Sequence, residues 1–108
     1  MTPLTPLTFD ILLALADEDR HGYGIIKEIE DRSRADAAPS TGAMYLALKR
    51  MQGEGLLELS DRVDPADARR RYYRLTEMGR IHAELESRRL ESLVVAARSK
   101  RLLTEGAG

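Results

Sequence analysis

The apolar residues of this 108-residue chain change their spacing once and then change back. From Leu7 to Met51 they recur every three or four residues, the repeat of helices with one buried face. In Arg69-Arg70-Arg71-Tyr72-Tyr73-Arg74-Leu75 the pattern reads with a period of two, the repeat of a strand. From Met78 the helical spacing returns. Such an order leaves few ways to bury the apolar faces: helices must pack together, a hairpin must sit beside them, and the last helix must find a neighbour.

Thr5-Pro6 opens the first helix, with Thr5 as cap and Pro6 at its first position. Leu7, Ile11, Ala14 and Leu15 form its stripe, and Phe9 and Leu12 widen it beyond half the girth, so a partner chain is expected to cover part of it. After the polar break Asp17-Glu18-Asp19-Arg20, His21-Gly22-Tyr23-Gly24 opens a second helix with Ile25, Ile26 and Ile29 inward. Residues 35–39 are a short connector. Ser40 is a good cap for a third helix over residues 41–53. Met44, Ala47, Leu48 and Met51 share one of its faces; Thr41, Tyr45, Lys49 and Gln52 share another. Gly53 and Gly55 end it.

LLELSDRV, the turn Asp64-Pro65-Ala66-Asp67 and RRRYYRLT make a two-stranded hairpin. Alternation assigns Tyr73 and Leu75 to the core and Arg70, Tyr72 and Arg74 to the outer face. Thr76 caps a long last helix, whose apolar positions are Met78, Ile81 and Leu85, then Leu90, Leu93, Val94 and Ala97. The five-residue step from Leu85 to Leu90 turns the stripe by roughly 140°. The first half is therefore expected to pack on its own domain and the second on a partner. The last four residues are expected to fray. The fold class expected is mostly α with a small β-hairpin: a winged helix-turn-helix domain over residues 1–75 and a long C-terminal dimerisation helix over residues 76–108.

Without cysteine there is neither a disulfide framework nor a thiolate metal site. His21 and His82 are far apart, and Asp17, Glu18, Asp19 and His21 have no recognised ligand spacing, so no metal and no cofactor is expected. No apolar run approaches the ~20 residues that cross a bilayer, and the start resembles no signal peptide. A cytoplasmic protein without a membrane partner is expected. The formal net charge is −1, unevenly spread: −4 over residues 1–39, +2 over residues 40–75 and +1 over residues 76–108. Four arginines within residues 69–74 repel one another unless something negative faces them. No serine–histidine–aspartate order, phosphate-cradling loop or paired carboxylates suggest an enzyme.

The ordered set HGYGI, PSTGAMYLALKRM and RRRYYRLTEMG closely resembles the PadR family of bacterial transcription regulators, over roughly residues 4–100. The resemblance implies a dimeric winged-helix repressor of the short kind, with one C-terminal helix. It also allows for a small-molecule effector, which nothing in the sequence names. The chain departs from the family at three places. Gly53 stands where a good helix former is expected, the connector at Arg34-Ala35-Asp36-Ala37-Ala38 offers little to phosphate, and no tryptophan stands in the last helix to stack a planar ligand.

A helix fits the DNA major groove and meets base edges with its N-terminal residues. On this reading Ser40, Thr41, Gly42, Tyr45 and Lys49 form the recognition surface. Arg69, Arg70 and Arg71 on the wing would reach phosphates or the adjacent minor groove and Tyr72 the backbone, the competing role being a solvated charged strand paired with Asp61, Asp64 and Asp67. His21 and Tyr23 at the start of the second helix would reach phosphates, with capping or packing as their competing role. Leu7, Ile11, Leu90, Leu93, Val94 and Ala97 are the expected homodimer interface. Two protomers would set their recognition helices ~34 Å apart on a pseudo-palindromic double-stranded DNA site. The competing function is a winged-helix module that contacts protein, which would expose apolar residues in place of the basic wing.

Overall fold

The computed structural model describes residues 4–32 and 39–104. Its elements run α1 (Pro6–Leu15), β1 (Arg20–His21), α2 (Gly22–Arg32), α3 (Thr41–Gly53), β2 (Leu57–Leu59), β3 (Tyr72–Leu75) and α4 (Glu77–Ser99). Three caps have the chemistry their sequences suggest: Thr5, Ser40 and Thr76 accept through side-chain oxygens from the backbone N–H groups of Thr8, Ala43 and Gly79. The expected connector and C-terminal tail fall mostly outside the described residues. None of the described helices is long and apolar enough to cross a membrane.

Ile11, Leu12, Ala14 and Leu15 of α1 meet Ile25, Ile26 and Ile29 of α2 and Met44, Ala47, Leu48 and Met51 of α3 in one core. Leu56, Leu57 and Tyr73 close it from the sheet side. Ile11 is fully buried there. Its expected place in a dimer interface is corrected accordingly, because no part of its surface is left for a partner. Leu7 is half-buried against the same core.

The hairpin gains a third strand. The sheet order is β1-β3-β2, antiparallel throughout, with Arg20 opposite Tyr73, His21 opposite Tyr72, and Leu57 opposite Leu75. The polar break after α1 thus ends in a strand. The Arg20 guanidinium fastens it, donating to the Ala14 carbonyl at 2.7 Å and pairing with Asp17, Glu18 and Glu28.

The exit from α3 fixes the start of α4. Gly55 takes φ 79°, a left-handed turn that glycine makes without strain. Gly55 N–H donates to Gln52 and Leu56 N–H to Met51, closing the helix end. Thr76 then donates from its hydroxyl to the Gly55 carbonyl at 2.6 Å and from its N–H to the Leu56 carbonyl at 3.2 Å. Gly79 lies so close that an added Cβ would stand 2.0 Å from the Leu56 oxygen.

This close approach selects the face of α4 that packs. Gly79, Ala83 and Glu86 are its buried residues. Met78, Ile81 and Leu85, expected to face the domain, are instead 52%, 49% and 41% exposed. Only small side chains fit where the helix crosses backbone, so the large ones turn outward. The face of Gly79, Ala83 and Glu86 continues at ~100° per residue into Leu90 and Ala97, flanked by Leu93 and Val94. At ~1.5 Å per residue α4 is roughly 35 Å long and outruns the three shorter helices. Leu93 and Val94 are accordingly exposed.

Gly79→Ala should destabilise the protein by ~1–3 kcal/mol, the range for overpacking. It should appear as a lower urea midpoint at unchanged slope. Ile81→Ala, on the face that sequence spacing favours, should stay within ~0.5 kcal/mol.

Candidate nucleic-acid interface

Two aspartates shape the loop that carries the arginines. Asp64 accepts from Ala66 N–H at 2.8 Å, and Asp67 accepts from Arg69 N–H at 3.0 Å. Asx turns of this kind let a short loop reverse without regular pairing. Arg69 reaches back to Asp67 at 3.4 Å, and Arg70 to Asp64 at 3.7 Å. Arg74 pairs across the strands with Glu58 at 2.8 Å, which raises its pKa further. Arg71 is exposed and has no ion-pair or hydrogen-bond partner among the described residues. Surface pairs such as those of Arg69 and Arg70 are worth ~0–1 kcal/mol, so all three cations can be recruited by a stronger anion.

His21 joins the wing to α2. Its Nδ1 accepts from Gly24 N–H at 3.0 Å, the bond of a helix cap. Its Nε2 lies 2.8 Å from Arg70 Nη1. A neutral imidazole has one donor and one acceptor nitrogen. If Nδ1 accepts from Gly24, Nε2 carries the proton and confronts an Arg70 N–H, donor against donor. The ring can accept from Gly24 or from Arg70, but not from both. An anionic oxygen between Nε2–H and Arg70 would satisfy the two donors together. Burial lowers the His21 pKa first, Arg70 next and Arg62 more weakly, while Asp64 opposes them.

α3 flanks this corner. Tyr45 lays its hydroxyl over Gly22, where an added Cβ would stand 2.5 Å away, so any larger residue at the start of α2 would displace the tyrosine ring. His21, Gly22, Tyr23, Tyr45, Tyr73 and the three arginines line an open cavity of about 440 Å³. Ser40, Thr41, Gly42 and Lys49 lie exposed on α3, with the Ser40 hydroxyl oxygen engaged by Ala43 N–H. Lys49 has no ion pair among the described residues, whereas its neighbour Arg50 turns back and donates to the Thr8 hydroxyl at 2.6 Å. Residues from the loop after β2, the start of α2 and α3 thus converge on one cationic concavity.

Comparison with known proteins decides what kind of chain carries this surface. Residues 11–85 match the model of the transcriptional regulator PadR-like family. The chain belongs to that family. It is 37% identical to the transcriptional regulator Rv3488 of Mycobacterium tuberculosis over 77% of this chain and 74% of that one. A PadR family transcription regulator from Clostridium difficile shares its fold with a TM-score of 0.75 at 29% identity, covering 88% of this chain and 97% of that one. A PadR-like transcriptional regulator from Bacillus cereus does so with a TM-score of 0.74 at 25% identity, covering 92% and 93%. This PadR-family chain is therefore a transcriptional regulator with a winged-helix fold, and not an enzyme.

One expected contact of the regulator is corrected. Tyr72 was assigned to the outer face of β3, but it is only 8% exposed. Alternation fails because both faces are covered where β3 begins: Tyr73 enters the core, and Tyr72 meets the His21 ring edge to face, with the Arg62 guanidinium 4.7 Å from its centroid. Arg62 has no counterpart among the residues singled out from sequence. It donates to the Asp19 carbonyl at 2.9 Å and approaches Glu18 at 3.4 Å, while the Ser60 hydroxyl donates to the Asp19 carboxylate. Together they strap the first arm of the wing to the approach to β1. Its only sequence signal was charge, a basic residue among acids, which surface residues share.

Protonating His21 at Nδ1 breaks its bond to Gly24. Its pKa is lower folded than the usual ~6.5 of the unfolded chain, so the unfolded state binds more protons at mildly acid pH. Its stabilisation is present above ~6.5 and is lost as pH falls from there through the lower folded value. In His21→Asn the amide oxygen can cap without titrating. Between about pH 7 and pH 5 its Tm should fall less than that of the unmodified protein.

Proposed function

We propose that this regulator is a sequence-specific repressor that binds double-stranded DNA as a homodimer. α3 enters the major groove with Thr41, Gly42, Tyr45 and Lys49 toward the bases, and the wing and the start of α2 hold the adjacent phosphates. The observation that carries this reading is the convergence of Arg69, Arg70, Arg71 and His21 on one open concavity beside α3. Its donors are held only by weak pairs or by none. A phosphate backbone supplies the missing acceptors at regular spacing, and each phosphate neutralised releases counterions.

The partner protomer is read from α4. Its distal half exposes Leu93, Val94, Val95 and, beyond the helix, Leu102 and Leu103. Leu90, Leu93, Val94 and Ala97 prolong the face that packs on the protein's own domain, so a second copy laid there would extend an existing core. The symmetric arrangement matches a pseudo-palindromic operator. Such a regulator would act in the cytoplasm, where its operator lies.

Fluorescence anisotropy with DNA from upstream of its own gene, across a salt series, tests the DNA reading. Binding should be steep in salt and stronger than to a scrambled duplex. Arg71→Ala should weaken binding to all sequences alike and flatten the salt slope by about one per protomer. Equal, weak binding to both duplexes would favour a protein partner for the wing. Sedimentation should find a dimer, and Leu93→Asp with Val94→Asp should shift it to monomer and weaken operator binding with it.

A further inference from the structure

The outermost line of α3 is not the polar line that its spacing suggests. With Met44, Ala47, Leu48 and Met51 buried, the diametrically opposite positions at ~100° per residue are Gly42, Leu46, Lys49 and Gly53. Leu46 stands in the middle of them and is 73% exposed. Among the described residues only Leu102 is a more exposed large apolar side chain. A single exposed leucine is ordinary on a protein surface, but this one is flanked along the helix by two glycines, Gly42 in the first turn and Gly53 at the last position of α3. An added Cβ at Gly42 or at Gly53 would meet nothing within 4 Å. Glycine is a poor helix former, and no internal contact requires it at either position. Both glycines lie on the outward line, one on each side of Leu46 along the helix axis. The helix is therefore shaved where an external body comes closest, and left with one apolar side chain there.

The body that fits is a major groove with an apolar feature on its floor. The C5-methyl group of thymine is that feature, and apolar side chains are the groups that read it. We propose that Leu46 recognises a thymine methyl group in each half-site, with Gly42 and Gly53 allowing the helix backbone to come close enough for the contact. This inference rests on the DNA-binding function proposed above and adds a specificity determinant to it. Leu46 carries no charge, so it contributes to base choice and leaves the electrostatic part of binding untouched.

The test uses a duplex selected from a randomised library with the full-length protein. Each thymine of the selected site is replaced in turn by deoxyuridine, which lacks only the methyl group. At the contacted position the unmodified protein should lose about fourfold in affinity per half-site, the worth of burying one methyl group. Leu46→Ala should bind the thymine and deoxyuridine duplexes equally, with unchanged Tm and an unchanged salt slope. The proposal is overturned if the unmodified protein tolerates every replacement, or if Leu46→Ala still discriminates; DNA binding itself would then stand. If no duplex is enriched above the random pool, the DNA reading fails beneath it, and Leu46 becomes a contact for a protein partner.

Discussion

Two rungs of β-pairing, Arg20 with Tyr73 and His21 with Tyr72, hold the start of α2 against the wing. An isolated two-stranded hairpin is marginal in water. Here the third strand, brief as it is, ties the hairpin to the helical core. Arg20 secures one side through the end of α1, and Arg62, Asp19 and Ser60 secure the other. The same pairing buries Tyr72 and lets Tyr73 close the core. Without it the arginines of the wing would move independently of α3, and no shared concavity would exist.

Electrostatics on this surface is arranged to be given up. The chain as a whole is nearly neutral, and two of the wing arginines, Arg69 and Arg70, are quieted by aspartates of their own loop. Those pairs are long, their arginines reach solvent, and salt weakens them. They relieve self-repulsion in the free protein and yield readily to a multivalent anion. His21 adds to this, since its one acceptor nitrogen can serve Gly24 N–H or Arg70 but not both, and one of the two donors is left for another acceptor. Contrasting with them is the pair of Glu86 and Arg89 on α4, where two bonds of 2.8 and 2.7 Å hold the carboxyl below its usual range. That bidentate pair is local to one helix and satisfies its donors in place.

The asymmetry of α4 has the same origin as the tightness of its start. Thr76 and Gly79 seat the helix on the backbone at Gly55 and Leu56, and a helix that touches backbone can do so only through small residues. Gly79 and Ala83 therefore face inward, and the large apolar residues of the same turns face out. Farther along, the same side of the helix carries Leu90, Leu93, Val94 and Ala97, where the domain has ended and Leu93 and Val94 are exposed.

The order of elements was legible in the sequence because periodicity, caps and glycine stops act over neighbouring residues. Thr5-Pro6, Ser40 and Thr76 begin their helices where local chemistry puts them, and α3 runs over residues 41–53 as its spacing indicates. The basic wing and the exposed start of α3 were legible for the same reason. What sequence could not decide was which faces are covered. A two-residue strand has no period to detect, so β1 was invisible and Tyr72 was turned outward. Apolar spacing favours Met78, Ile81 and Leu85 as packing residues of α4, but the Leu56 carbonyl leaves no room for a Cβ at position 79. Leu46 looked like any apolar residue of a helix, and only the placement of the core made it the outermost. Burial and exposure are set by what lies across from a residue, and that neighbour comes from a distant part of the chain.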